Sequence, residues 1–365
     1  MTIATIIDVL EKLAPPCLQE SYDNCGIITG KKTWECTGVI CTLDATEAVL
    51  LEAKEKGCNM VVAHHPIVFT GLKKINGDNY IEQTIITAIK NDIAIYAIHT
   101  NLDNVLHGVN NKIADTLGLL NKKILAPKNN LFSKLFTYVP VADVEKIKQA
   151  IFDAGAGHIG NYSECSFTTK GVGTFKALEN ANPYVGKIGT RHEEQEMKLE
   201  IILPNWLQNK VINALKAAHP YEEVAYEIVP INNELPLIGS GLIGTLAEPI
   251  NAIDFLQLLK KAFGLQVIKH TQLLDNPIQK VAICGGAGSF LINQARKVGA
   301  DIFITADIKY HEFFDANNEL IIADIGHWES EQFTIELLAE HLQENFPTFA
   351  VLKSKVKTNP VEYFL

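Results

Sequence analysis

Three short stretches of this chain concentrate groups that bind metal ions or move protons. His64 and His65 are adjacent and follow the apolar run Asn59–Ala63. His99 and Asp103 bracket His99-Thr-Asn-Leu-Asp103, after a second apolar run, Ile93–Ile98. His327 and Glu331 stand four apart in His327-Trp-Glu-Ser-Glu331, a spacing that puts them on one face of a helix start. Imidazole is a common ligand for zinc, iron, copper and nickel. A carboxylate ligates beside it or orients it. Each stretch also has a plainer reading. His64-His65 fits a surface or capping pair, the His99–Asp103 stretch fits a helix N-cap, and Glu331 fits a carboxylate complementing a helix dipole. Together they supply five nitrogen and oxygen ligands and no thiolate: His64, His65, Asp103, His327 and Glu331. Five exceed what one tetrahedral zinc takes. They suit two ions sharing a carboxylate, the arrangement that activates water for hydrolysis with metals about 3.5–4 Å apart.

Other groups could serve the same cavity. Asp307-Ile-Lys-Tyr-His311 follows another strand-like run, and His99, Asp307 and His311 are the candidates for catalytic proton transfer. Gly285-Gly-Ala-Gly288 fits a phosphate-cradling turn or a tight strand–helix turn. It matches neither GxGxxG nor a Walker motif, and no nucleotide-cofactor fingerprint is read from it. Glu329 faces away from His327 and reads as solvated. His219-Pro-Tyr-Glu-Glu223 reads as a turn into a strand, and His158, His192, His270 and His341 as surface or packing residues.

The elements that must position these groups alternate in type. Val39–Leu43, Asn59–Ala63 and Ile93–Ile98 read as buried strands, with helices at Ala45–Lys56 and Ile81–Asn91 between them. That is the signature of βαβ units and a parallel sheet, whose ligands collect at the strands' carboxyl ends. The alternation resumes with strands at Val281–Cys284, Ile302–Thr305, Leu320–Asp324 and Phe349–Leu352, and helices at Phe290–Val298 and Glu329–Phe346. Between them the pattern changes. Strands at Leu131–Val139, Tyr162–Phe167, Val172–Lys176, Met197–Leu203 and Val224–Ile231 surround helices at Val141–Ala154 and Trp206–Ala217. This predicts a ferredoxin-like α+β domain with an extra hairpin at Thr168-Thr-Lys-Gly171. It is inserted at 130–232 into a discontinuous α/β domain of 1–129 and 233–365, with Ile231-Asn-Asn-Glu-Leu-Pro236 as the return linker.

Composition narrows the function classes. Of 365 residues, 47% are hydrophobic and 20% charged, ordinary for a globular protein. Acidic residues outnumber basic ones by 42 to 32, for a net charge of −10, which argues against nucleic acid as the main partner. No apolar run reaches the length of a membrane span. The opening, Met1 to Pro16, lacks a basic n-region and reads as an amphipathic helix stopped by Pro15-Pro16. Seven scattered cysteines, none in CxxC, fit a reducing, cytoplasmic setting.

The ordered set Val61-Val-Ala-His-His-Pro-Ile-Val-Phe69, His99-Thr-Asn-Leu-Asp103, Thr305-Ala-Asp-Ile-Lys-Tyr-His311 and Gly326-His-Trp-Glu-Ser-Glu331 resembles the Nif-three-like family of dinuclear-metal proteins, often catalogued as GTP cyclohydrolase I type 2 homologs. The resemblance covers about 1–126 and 236–365, including Tyr22-Asp-Asn-Cys-Gly26 and Leu43-Asp-Ala-Thr46. The insert resembles the PII/CutA-like domain of the longer, YqfO-type bacterial members. The resemblance implies a layered α/β core and two divalent ions per chain. Zinc or iron come first, with manganese, cobalt or nickel also compatible. It implies His65 and Asp103 on one ion, His64 and His327 on the other, and Glu331 bridging. The family's usual Thr-Gly-Asp reads Thr305-Ala306-Asp307 here, a mild change expected to tighten the turn. The resemblance also implies a homohexameric toroid, a trimer of dimers.

The function expected is a metal-dependent hydrolase acting on a nucleotide-like or phosphorylated small molecule. GTP ring opening by the usual zinc enzyme needs a Cys/Cys/His set, which this ligand set does not contain, so the chemistry would follow another route. The alternative is a non-catalytic metal-binding or regulatory assembly, or a protein-interaction adaptor.

Overall fold

A computed structural model describes residues 1–234 and 236–364. Leu235, within the expected return linker, lies outside the described residues, as does Leu365. The chain divides into two compact units, Met1–Pro127 with Pro236–Leu365, and Lys128–Leu235.

The first unit carries two sheets. One has the order Gly26–Thr29, Ala94–Ala97, Met60–His65, Val39–Asp44, Val351–Lys353. Its strands run parallel except the Gly26–Thr29 edge. Val39–Leu43 and Met60–His64 are buried throughout, as expected of strands covered on both faces. The crossover helix Glu47–Glu55 begins where Thr46 Oγ1 accepts the Val49 N–H. The next, Tyr80–Lys90, begins where Asn79 Oδ1 accepts the Glu82 N–H at 3.0 Å. The N-terminal helix, Ile3–Leu13, buries Ile3, Ile6, Ile7 and Leu10 at helical spacing.

The second sheet runs Lys269–His270, Ile321–Asp324, Ile302–Ala306, Ile278–Ala287, Gly239–Ile250, Leu120–Pro127. Its three central strands are parallel, and the others pair antiparallel. The antiparallel strands Leu120–Pro127 and Gly239–Ile250 escape a search for βαβ alternation. The former has an exposed, lysine-bearing first half and the latter carries three glycines and a proline. The helix expected over Glu329–Phe346 is two helices, His327–Glu331 and Thr334–Asn345. None of the described helices is long and apolar enough to cross a membrane.

The second unit is a four-stranded antiparallel sheet in the order Ser166–Lys176, Arg191–Pro204, Phe132–Pro140, Tyr226–Ile231. Helices Val144–Asp153 and Gln208–Ala218 complete a βαββαβ connectivity. There is no hairpin at Thr168-Thr-Lys-Gly171. Ser166–Lys176 is one strand, paired along its whole length with Arg191–Ile201. Its residues are exposed or half-buried because it forms the sheet edge, so its polar, glycine-bearing composition resembles a turn. The apolar core lies on the face carrying Leu199, Ile201 and Leu203, against Ile147, Ile151, Val211 and Leu215 of the helices.

Candidate metal centre

The groups singled out from the sequence converge in the first unit, at the carboxyl ends of parallel strands. His64 and His65 close the Met60–His65 strand. Asp103 ends the short helix Thr100–Asp103, which follows the Ala94–Ala97 strand. His327 and Glu331 bound the helix after the Ile321–Asp324 strand of the other sheet. A pocket of about 490 Å³ is lined by His65, His99, Asp103, His327 and Glu331.

Each imidazole is anchored from behind through Nδ1. His64 Nδ1 donates to Ile98 O at 2.8 Å, His65 Nδ1 to Asp44 Oδ1 at 2.8 Å, His99 Nδ1 to Asp23 Oδ1 at 2.9 Å and His327 Nδ1 to Asp307 Oδ2 at 2.6 Å. That orients each ring and turns its Nε2 toward the site. Glu331 divides the set between its two oxygens. Oε2 lies 2.9 Å from His65 Nε2 and 3.2 Å from His327 Nε2. Oε1 lies 3.9 Å from His64 Nε2, which is itself 3.6 Å from Asp103 Oδ1. Two trios therefore stand within metal-binding reach, His65–His327–Glu331 and His64–Asp103–Glu331, and a third, His64–His65–His99, adjoins them. These trios set His327 beside His65 and Asp103 beside His64, unlike the division the resemblance implies.

The ligand atoms fit a cation better than they fit one another. His64 Nε2 and Asp103 Oδ1 are buried with no hydrogen-bond partner, an arrangement that costs energy unless something neutralises it. His65 Nε2 and His327 Nε2 face each other at 3.3 Å. Charges are held in tension. Burial pushes the His64 pKa down to about 4, against the pull of Glu331. Burial also acts against the His65 imidazolium, but hydrogen bonds to Asp44 and Glu331 prevail and raise its pKa to about 10. At His327, Glu331 and Asp307 outweigh burial and raise the pKa to about 9. Burial and the Glu331 charge push the Asp103 carboxyl well up. Burial of Glu331 is outweighed by its hydrogen bonds with His327 and His65 and by the His64 imidazole beside it, which hold it well down.

The glycine run has a different role from a phosphate turn. Gly285, Gly286 and Ala287 belong to the Ile278–Ala287 strand. The Gly285 N–H donates to Asn110 Oδ1 and the Gly286 N–H to Ser330 Oγ, both at 2.9 Å, so neither is left for an anion. What the glycines provide is room. A Cβ on Gly286 would fall on Glu331 Oε1, and one on Gly285 would stand 3.3 Å from Glu331 Cγ. Nor does Ala306 tighten a turn. It ends the Ile302–Ala306 strand, paired with Ala287, and the left-handed residue is Asp307, at φ +55°.

His99 lies in the pocket, its ring 5.2 Å from that of His64 and 5.3 Å from that of His65. Asp307 takes part as the anchor of His327. His311 does neither. It is exposed and packs against Tyr310 and Phe314. Glu329 is half-buried rather than solvated, accepting the Asn359 amide at 3.0 Å. Two anchors, Asp23 and Asp44, were not singled out by chemical type, because lone aspartates after loops and strands are commonplace. Asp23 also accepts the Thr100 N–H at 3.0 Å and is held well down, its hydrogen bonds with His99 and Thr100 outweighing burial.

A model of the family described as Duf34/NIF3 (NGG1p interacting factor 3) matches residues 1–360. A protein of Halalkalibacterium halodurans named "GTP cyclohydrolase 1 type 2 homolog" is 39% identical over 364 residues, covering 98% of each chain. A Bacillus subtilis protein of the same name is 36% identical, covering 98% of this chain and 97% of its own. The solved structure of a Bacillus cereus protein related to NIF3 superposes with a TM-score of 0.87 at 38% identity, over 100% of this chain and 99% of that one.

Proposed function

The chain belongs to the Duf34/NIF3 family, and from that premise we propose that it is a metal-dependent hydrolase whose site holds two divalent ions. The observation that carries this is the division of Glu331 between two trios, with His64 Nε2 and Asp103 Oδ1 left unpartnered among buried groups. His65 and His327 would hold one ion and His64 and Asp103 the other, with Glu331 shared. Imidazole and carboxylate donors suit zinc or iron, with manganese, cobalt or nickel compatible. When bound, such ions supply a nucleophile from water at neutral pH and polarise the centre it attacks.

The chain's own groups do the rest. Asp44 and Asp307 hold His65 and His327 in place. His99, backed by Asp23, would take or give a proton through Nε2. Tyr22, Phe69 and Tyr80 line the same pocket and offer apolar surface to a ring. Among its described lining residues there is no lysine or arginine. A phosphate's charge would therefore be met by the metal ions. This favours a ring-bearing, nucleotide-like substrate recognised through its base. The names of the relatives point the same way. The reading also takes the working form to be the cytoplasmic homohexamer that the family resemblance suggests, which analytical ultracentrifugation would check.

The test is metal content per chain, by plasma mass spectrometry on protein purified without added metal, beside turnover of a nucleotide panel. About two ions per wild-type chain, lost together with turnover in Glu331→Gln, is the expected result. A wild type that takes up no metal on titration would overturn the reading. Metal uptake without turnover of any nucleotide would move it to a non-catalytic metal-binding assembly.

A further inference from the structure

The second unit contains a pocket of about 750 Å³, larger than the one at the metal centre and independent of it. Its floor is Glu196, 8% exposed. Glu196 lies opposite Gly171 on the Arg191–Pro204 strand, so its side chain is on the sheet face away from Leu199, Ile201 and the helices. The carboxylate rests over bare backbone, because a Cβ on Gly173 would fall on Glu196 Oε2. Glycine inside a strand marks such a close approach. Oε1 accepts the Tyr221 hydroxyl at 2.9 Å, the one hydrogen bond to this carboxylate among the described residues.

Among the described residues no cation is paired with this carboxylate, although Lys170, Lys176 and Lys198 also line the pocket. His192 pairs with Glu194 at 2.9 Å and Lys198 with Glu200 at 3.4 Å. Lys170 and Lys176 reach the pocket from positions on the opposite face of their strand, and neither pairs with Glu196. A nine-tenths-buried carboxylate with an open oxygen calls for a cation. Among the described residues no second and third ligand atom stands close enough to make this a metal site. The walls are aromatic instead. Phe175 and Tyr184 lie 6.3 and 6.1 Å from the Tyr221 ring.

The structure also holds Tyr221 in place. His219 is 7% exposed. Its Nε2 donates to Tyr138 O at 3.0 Å, and its Nδ1 accepts the Tyr221 N–H at 3.1 Å. Glu222 accepts the Asn182 N–H at 2.8 Å, tying the segment that carries Tyr184 to the same turn. His219-Pro-Tyr-Glu-Glu223 is the expected turn into a strand, leading to Tyr226–Ile231, and it also frames this pocket.

We propose that this pocket binds a small organic cation, an ammonium or amidinium on an apolar or aromatic body. Its N–H groups meet Glu196 Oε2, and its body lies among Phe175, Tyr184 and Tyr221. Carboxylate and ring faces attract such a cation together.

Isothermal titration of the full chain with phenethylamine, benzamidine and the neutral analogue 2-phenylethanol tests this. Both cations should bind, and 2-phenylethanol about tenfold more weakly or not at all. Glu196→Gln should weaken the cations by about tenfold, the size expected of one charged hydrogen bond. Gly173→Ala, which keeps the carboxylate but displaces it, should weaken them as well. Metal content should be unchanged in both variants, which separates this outcome from the fate of the hydrolase reading. Absence of cation binding, equal affinity for the neutral analogue, or full affinity in both variants would overturn the proposal.

Discussion

Glu331 Oε2 lies 2.9 Å from His65 Nε2, although 266 positions separate the two residues. One comes from the sheet containing Met60–His65, the other from a helix that follows a strand of the second sheet. The site exists only when both sheets are formed, and it loses its shared member if this residue changes. Glu331→Ala should fold, with unchanged far-ultraviolet dichroism, and retain less than one ion per chain. Two ions retained in Glu331→Ala would remove this residue from the centre.

The carboxylates behind the histidines are expected to matter nearly as much as the ligands. Asp44 accepts from His65 and also from Thr358 Oγ1 at 2.6 Å, so it is itself fixed. Asp44→Asn and Asp307→Asn should each weaken metal binding by about 10–100-fold. Competition titration against a chromophoric chelator gives the number.

Protons should leave as metal enters. In the metal-free protein His65 and His327 have pKa values of about 10 and about 9, so both carry protons at pH 7. Metal ligation requires neutral imidazole. Loading at pH 7 should release these protons, and affinity should fall as the pH is lowered. Calorimetry in buffers of different ionisation enthalpy would count them.

The same shifts carry a stability prediction of definite sign. Both folded-state values lie above the usual histidine value of 6.5. Their contribution is therefore fully present below about pH 6.5 and is lost as pH rises through 9 to 10. His327, 39% exposed, contributes less than His65, 16% exposed. The melting temperature of metal-free protein should decline over that window, while loaded protein stays level. A flat metal-free profile would mean that these ion pairs do not stabilise the fold.

Gly286 is required twice over, by its φ of +63° and by the carboxylate lying on it. Gly286→Ala should cost about 2 kcal/mol, of which the left-handed backbone alone accounts for roughly 1–2. It should also reduce metal content. Denaturant unfolding and metal analysis of one preparation would separate the two effects.

His99 should behave differently from the ligands. Its Nδ1 is committed to Asp23, and its ring stands beside those of His64 and His65. On the proposed hydrolase reading, His99→Ala should keep its metal yet lose about 10²–10⁴-fold in turnover. Full turnover in His99→Ala would assign the proton transfer elsewhere.

Much of this site was legible in the chain. His64, His65, Asp103, His327 and Glu331 stand out by type, and the strands before them by unbroken apolar runs such as Met60–Ala63. Where sequence reasoning failed, a distant partner or the local exposure of the chain decided the outcome. Gly285-Gly-Ala-Gly288 looks like an anion turn until Asn110 and Ser330 are seen to take the Gly285 and Gly286 N–H groups. His311 stands only four residues from Asp307, yet it turns outward onto Tyr310 and Phe314. Leu120–Pro127 and Gly239–Ile250 were missed because antiparallel strands with exposed stretches lack the apolar runs of the parallel core. Ser166–Lys176 was divided in two for a related reason, since a solvent-facing edge strand is written in the same polar residues as a turn.

The four histidines are secured at Nδ1 by groups from four separate stretches of chain, Asp23, Asp44, Ile98 and Asp307. None of these supports depends on an ion being present. The rings are therefore braced by the chain's own hydrogen bonds rather than by the ions they would share. Ion exchange should run at the pace of ligand substitution rather than of unfolding. A chelator should be able to strip the centre and a later supply of metal refill it, cycle after cycle, with whichever suitable ion the cell has in excess.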